Sequence, residues 1–523
     1  MMSDADSPRV YFLSIDCGTQ SIRALIFDQS GVLVAKQKII IQSYASPQLG
    51  WVEQEAEYFW NKLCEACQLL WPQFELPPSA ISAVSITTQR GTVVNLDSQG
   101  QALRPAISWL DQRQATQTPA LGLMDWGLKS IGMHGPVESF KREAESNWIA
   151  EHQPEVMSAT SHWLLLSGYL IHRLCGELKD ATAAQVGYIP FDFKKLGWAK
   201  PGSWRYKALN MKPEQMPELI HAGSKLGVIS ESAALATGIV AKTPLIASGS
   251  DKACEVLGSG CKTETIGALS YGTTATFNIN SERYVEAIPF QPSYPSIVPG
   301  YYNVETMVHR GYWMVDWFRK EFGLHEEQRA SEQGVEPEYF FDELLKQVPP
   351  GSMGLVLQPY WSSGANSQGP EAKGAIIGFG ESHTRAHIYR AIVEGIGFAL
   401  REGKERLEKR GNFRVDLLRV SGGGSQSDEI LQITADLFNL PVERPHTYET
   451  SGLGAAIAAA VGCGIYQDFD SAVDHMVRCE RRFEPRPKES EMYNQLFNSV
   501  YKKLYQQLRP SYRAIRKIVG DFS

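Results

Sequence analysis

This chain of 523 residues lacks most of the signals that would settle a function class at a glance. It has no excess of basic residues. Net charge is −7 and pI is near 6.0, which excludes a broad field for nucleic acid or anionic lipid while leaving room for a local basic pocket. No apolar run is long enough to cross a bilayer. The best candidate, GLGAAIAAAVGCGIY from Gly452 to Tyr466, is short and built of small residues, so it reads as a close-packed helix. The N-terminal MMSDADSPRV is acidic and has no apolar centre, so it does not read as a signal peptide, and a cytoplasmic protein is expected. Only two of the eight cysteines, Cys64 and Cys67, stand in C-x-x-C spacing. They lie inside EYFWNKLCEACQLLW, whose period is helical, and no second pair follows; a buried helix face is expected there, not a zinc or redox site. There is no G-K-[ST] to make a Walker loop, no G-x-G-x-x-G, and no low-complexity linker.

What is present is a repeated bend. YFLSIDCGTQSIRALIFD reads as two apolar strands around the knot Asp16-Cys17-Gly18-Thr19-Gln20. A second strand–bend–strand, ETIGALSYGTTATFNIN, carries Gly272, Thr273 and Thr274. The two Gly-Thr pairs begin 272 − 18 = 254 positions apart, close to half the chain. At this size two domains are expected, and the spacing implies one α/β unit used twice with a boundary near Gly260. Domains 9–260 and 261–523 follow. Strands alternating with helices, such as VDLLRVSGGG followed by SDEILQITADLFN, call for parallel pairing. The clearest helix is HTRAHIYRAIVEGIGFALREGKERLEKRG, in which Ile388, Ile392, Ile396 and Leu400 recur every four residues.

Each bend has a chemistry. Glycine lets backbone N–H groups approach an anion, Thr19 adds a hydroxyl, and Asp16 can hold a divalent cation. The second bend offers the same donors without the acid. Two such bends would clamp a polyphosphate. In RVSGGGSQSDEI the glycines put bare backbone and a helix N-terminus beside any ligand. In ASGSDKAC, Asp251 sits at a strand end among small residues, where it reads equally as a general base for a hydroxyl nucleophile or as a helix N-cap.

Together these stretches resemble the FGGY carbohydrate kinases over nearly the whole chain, from about Tyr11 to Pro487. IDCGTQSIRALIFD is similar to that family's first phosphate hairpin, GWVEQEAEYFW to the entry of its first helix, and LRPAISWLDQR to its W-x-D-x-R loop. GSDKACEVLGSG resembles the segment with the catalytic aspartate, LSYGTTATFN the second phosphate hairpin, and SGGGSQSDEILQITADLFNLPV the adenosine stretch. The resemblance implies two RNase H-like domains of the actin-type ATPase fold flanking a catalytic cleft, and ATP-dependent phosphorylation of a sugar or polyol. By position it makes Asp251 the base, Asp16 the Mg²⁺ partner, and Thr19 and Gln20 phosphate contacts. Gly272, Thr273 and Gly311 would approach the phosphates from the second domain; Gly423, Gly424 and Ser427 would border adenosine. A homodimer is compatible with it.

The acceptor is expected among Gln89, Arg90, Trp109, Asp111 and Asp251, an aromatic face with amides and carboxylates for hydroxyls. For Asp111 a salt bridge to Arg113 competes with that role, and for Trp109 a place in the core. Glycerol kinases carry Arg-Glu where this chain has Arg90-Gly91, and xylulokinases Met-His-Gly where it has Gln89-Arg90-Gly91. A pentulose or related short polyol is therefore expected. Lys252 beside Asp251 is expected to lower the pKa of that carboxyl. Two other readings remain: an actin- or chaperone-like nucleotide-dependent binding module, and an inactive sugar sensor.

Overall fold

The computed structural model describes residues 9–520 apart from 43, 131, 290, 336, 362–368 and 370, so most of the acidic N-terminal stretch lies outside the described residues. The chain packs as two compact units. The first comprises Met1–Gly258, Tyr294–Tyr302 and Ser451–Val477; the second comprises Ser259–Ser293, Asn303–Thr450 and Arg478–Ser523. The first change of unit falls between Gly258 and Ser259, and two later segments return to pack with the first unit, so the units interleave along the chain.

In the first unit the strand Tyr11–Cys17 is antiparallel to Ser21–Asp28, and Leu33–Ile40 adds beyond it. On the other side Ile81–Thr88 pairs parallel with Tyr11–Cys17, Pro244–Ile246 pairs parallel with that, and Lys225–Val228 closes antiparallel. The first strand is buried along its whole length, which is why YFLSIDC shows no polar alternation. The helix Ala56–Leu70 buries Phe59, Leu63, Cys64 and Cys67 together, and both thiols are free, as the helical period of that stretch requires. On another face lies Thr450–Gly462, the small-residue helix. Its residues Leu453 and Ala455 to Ala460 are fully buried, and Ser85 Oγ donates to Ala455 O at 2.8 Å. At Gly454 a Cβ would stand 2.0 Å from Cys254 O, so only glycine admits this approach. Among the described residues no helix is long and apolar enough to cross a membrane.

The second unit repeats the plan. Ile266–Tyr271 is antiparallel to Ala275–Ser281, with Tyr302–Val308 next in the sheet. Leu417–Ser421 pairs parallel with Ile266–Tyr271, Val442–Pro445 parallel with that, and Cys479–Phe483 closes antiparallel. From the central hairpin through its two parallel strands to the closing antiparallel strand, order and sense match the first unit. One α/β design is used twice.

The helix Arg385–Gly411 runs through this unit's core and carries the ion pair Arg390–Glu394 at 2.8 Å. Glu394 also accepts from Gly351 N, Ser352 Oγ and Tyr493 OH at 2.9, 2.8 and 2.6 Å, and Arg390 donates to Leu345 O and Val348 O at 2.9 and 3.0 Å. A buried pair so fully bonded is tolerated, and it pins a turn in which Ser352 and Met353 are left-handed, with φ of 48° and 51°. The C-terminal stretch runs without a break through Pro487–Leu496, a π-helical turn Phe497–Tyr501 and Lys502–Val519. The wider turn presents Phe497 and Tyr501 to Phe398 at 5.7 and 5.2 Å between ring centroids.

Candidate active site

The first bend is closed by Gly18 N donating to Ser21 O at 3.0 Å. The strand register sets Asp16 opposite Arg23, and the guanidinium bonds the buried carboxylate at 2.7 Å. Thr19 does not stand alone. Its hydroxyl donates to Gln89 Oε1 at 3.0 Å and accepts from the Trp109 indole N–H at 3.0 Å. Gln89 Nε2 donates to Tyr44 OH at 3.3 Å, and Tyr44 OH returns to Thr19 O at 2.9 Å. The structure therefore joins the bend to two residues expected on the acceptor side, through a tyrosine that no sequence motif marked. Gln89, which follows the parallel strand, is 2% exposed; Trp109 is 41% exposed, so its indole is surface and not core. Gln20 is exposed, and its carbonyl takes the N–H of Ile41 at 2.9 Å.

Asp111 is engaged otherwise. Its Oδ1 accepts from Arg113 N and Nε at 2.8 Å each, and its Oδ2 from Arg113 NH2 and Val52 N at 2.6 Å each. The Arg113 guanidinium lies 4.2 Å from the Trp51 ring and 4.5 Å from Trp148, and it also meets Glu53 at 2.7 Å. Of the two roles open to Asp111 in the sequence, the geometry supplies the salt bridge: this carboxylate braces the loop that carries Trp109.

Asp251 opens the helix Asp251–Gly258, but Ser250 supplies the cap, its hydroxyl accepting from Ala253 N at 3.3 Å. Burial raises the Asp251 carboxyl above its ordinary 3.8, against the opposing charges of Arg90 and Lys252. Lys252 lowers it, as expected of an adjacent ammonium, but desolvation outweighs that charge and the net shift is upward; Lys252 Nζ is itself paired with Glu255 Oε2 at 2.5 Å, one helical turn on. Arg90 lies 5.1 Å over the Tyr294 ring. The buried Cys17 thiol is pushed well up by burial and then by the charges of Asp16 and Asp251, so both acids lie within electrostatic reach of one atom. Among the described residues no cluster of three or more His, Cys, Asp or Glu forms a metal cage. One buried carboxylate at a Gly-Thr bend would suit magnesium, which keeps waters and phosphate oxygens as its other ligands.

In the second unit, Tyr312 N donates to Gly272 O at 3.0 Å and Trp313 N to Thr273 O at 3.3 Å. This seats Gly311 directly on the bend, where a Cβ would meet Ala275 N at 2.4 Å. Tyr271 and Tyr312 stack at 4.7 Å, and Tyr271 OH is tied to Thr434 Oγ1 at 2.7 Å. Gly424 packs on Tyr312, where a Cβ would come within 2.4 Å of Cε1, while Gly423 faces open space. Ser427 caps the helix Asp428–Phe438 by accepting from Ile430 N at 3.2 Å, and its hydroxyl donates to Asp342 Oδ1 at 2.5 Å. Gly272, Gly311 and Gly424 thus adjoin the two stacked tyrosines, with Thr273 next in the bend and Gly423 and Ser427 close to Gly424 along the chain. The tyrosines and Asp342 are the contributors that motif spacing did not reveal.

Family models describing the FGGY carbohydrate kinases match at residues 11–258 for the N-terminal domain and 267–463 for the C-terminal domain. An uncharacterized sugar kinase of Escherichia coli (strain K12) is 30% identical over 485 residues, spanning 92% of this chain and 91% of that protein. A glycerol kinase of Aromatoleum aromaticum is 29% identical over 496 residues, 91% of this chain and 94% of that one. Among solved structures, a ligand-bound xylulose kinase from Lactobacillus acidophilus superposes with a TM-score of 0.81 at 22% identity, covering 96% of this chain and 99% of that chain. That likeness is one of fold and is consistent with two actin-like domains. The family match sets aside the filament or chaperone reading, for both domains and their order agree: the chain belongs to the FGGY family of carbohydrate kinases and is a sugar kinase phosphotransferase.

Proposed function

We propose that this kinase transfers the γ-phosphoryl group of ATP to a hydroxyl of a pentulose or related short polyol, with Asp251 as general base, in the cytoplasm. The observation that carries the reading is the union, within the first unit, of a partly exposed indole, a glutamine and the threonine of the Gly-Thr bend, beside a desolvated aspartate. An indole face suits the C–H surface of a sugar, and Gln89 and Arg90 suit its hydroxyls. Arg90-Gly91 offers no carboxylate where glycerol kinases carry one, which argues against glycerol.

The acceptor oxygen attacks the γ-phosphorus, the bond to the leaving ADP oxygen breaks, and the hydroxyl proton passes to the Asp251 carboxylate. A raised pKa equips this group to take that proton. Each Gly-Thr bend offers backbone N–H groups to phosphate oxygens, and adenosine is bordered by Gly423, Gly424 and Ser427. Magnesium held at Asp16 would neutralise phosphate charge. Arg23, already on that carboxylate at 2.7 Å, holds it aimed.

A panel of ketoses, polyols and aldoses with ATP tests the substrate class. Pentuloses or short polyols give the highest kcat/KM; a clear preference for glycerol would refute it.

A further inference from the structure

The Thr19 hydroxyl has one proton, and in the structure that proton is spent on Gln89 Oε1 while the indole N–H of Trp109 fills a lone pair. As it stands, Thr19 has no proton to give to a phosphate oxygen. The bond is also built in on its far side: Gln89 is buried, and its amide is fixed by Tyr44, which bonds back to the Thr19 carbonyl. The circuit runs from Thr19 through Gln89 and Tyr44 to Thr19 again, with the exposed edge of Trp109 as its entry.

We propose that Thr19 is a positioning residue through which the acceptor pocket controls phosphate binding: an acceptor hydroxyl takes over its two side-chain bonds and frees its proton for the nucleotide. A sugar hydroxyl can accept from Trp109 Nε1 and donate to Gln89 Oε1, the same pair of bonds that Thr19 makes now. Released, the Thr19 hydroxyl turns to a phosphate oxygen, where a bond to a charged acceptor is stronger than the neutral one given up. No covalent bond changes; one hydrogen bond is exchanged for another. Acceptor and nucleotide then strengthen each other's binding by the same factor, and ATP without acceptor is gripped poorly, which limits idle hydrolysis. The inference rests on the acceptor pocket proposed above and adds to it the wiring between pocket and bend.

The test is binding of a non-hydrolysable ATP analogue by the full chain, with and without the best acceptor of the panel, for wild type, Thr19→Val, Thr19→Ser and Gln89→Leu, each first shown to be folded by thermal denaturation. In wild type the acceptor tightens the analogue by about 10- to 150-fold, the worth of one charge-assisted hydrogen bond. Thr19→Val binds the analogue as weakly as acceptor-free wild type and gains nothing from acceptor; Thr19→Ser restores the gain. Gln89→Leu moves the other way: with nothing to hold the Thr19 proton, it binds the analogue tightly without acceptor. A merely structural role for the circuit would weaken both variants alike. Full acceptor-dependent tightening in Thr19→Val, or no tightening of the acceptor-free state in Gln89→Leu, overturns the proposal. The Gln89→Leu readout needs no acceptor, so a panel with no substrate would defeat the proposed function while leaving this lock standing or falling on its own result.

Discussion

The two Gly-Thr bends sit at the same place in the same sheet topology and are built differently. The first is crowded with side-chain commitments: Asp16 to Arg23, Thr19 to Gln89 and Trp109. The second has no acid, exposes Thr273, and is held from behind by Gly311 and a pair of stacked tyrosines. The loops after the neighbouring parallel strand differ in the same sense. In the first unit Ile81–Thr88 leads into Gln89-Arg90-Gly91, side chains that can read hydroxyls; in the second Leu417–Ser421 leads into Gly422-Gly423-Gly424, bare backbone. On the function proposed above, side chains divide a duplicated scaffold into a half for chemistry and a half for gripping a nucleotide.

The largest expected contrast is between glycines. At Gly311 a Cβ falls 2.4 Å from both Ala275 N and Ala275 Cβ, so Gly311→Ala must push the second bend aside. A cost of about 2–3 kcal/mol, from overpacking against backbone, is expected. Nucleotide binding should go with it. At Gly18 the nearest atom is Ser21 O at 3.5 Å, an ordinary contact, and Gly18→Ala should cost under about 0.5 kcal/mol. Thermal denaturation of both variants checks the pair; equal losses would erase the distinction between the bends.

Gly272 sharpens it. Its added Cβ would lie 3.6 Å from Thr274 O, so the turn itself does not require glycine there. Gly272→Ala should fold as the parent does and still lose about tenfold in affinity for the ATP analogue, by keeping a phosphate away from backbone N–H groups. Undiminished affinity in a binding titration would remove that bend from the nucleotide site.

The smallest effects concern pH. Asp251 must be ionised to accept a proton, and its pKa is raised, so kcat/KM should fall on the acid side at a pH above its unperturbed 3.8. Arg90 is the leading charge opposing that rise. Arg90→Gln should therefore move the acid limb further up, by on the order of one pH unit. Lys252→Met should move it in the same direction and less, since that ammonium is paired with Glu255. A pH–rate profile for each variant decides; a shift toward acid would reverse the sign.

Much of this was legible in the sequence. The paired bends, the helix over Arg385–Gly411 and the glycine link after Leu417–Ser421 all follow from periodicity and glycine placement. Two further contacts were readable and went unread. Arg23 stands opposite Asp16 once the hairpin register is drawn, and Lys252 stands three residues before Glu255 on a helix. The rest was hidden because it is long-range. Tyr44 and Thr19 are 25 positions apart, Thr19 and Trp109 are 90, and no local pattern announces that their polar atoms meet. The segment Ser451–Val477 packs with the first unit because Leu453 and its small neighbours fit between Phe12, Leu25 and Phe27, a match of shapes that composition cannot express. Nor does the sequence sort its tryptophans: Trp148 and Trp163 are core, while Trp126 is 76% exposed.

The central claim is that Asp251 takes the proton of the attacking hydroxyl. Single-turnover phosphoryl transfer by Asp251→Asn, measured beside its affinity for the ATP analogue, addresses it most directly. Transfer should fall by about 10²–10⁴-fold with nucleotide affinity unchanged; transfer at the parent rate would contradict the account.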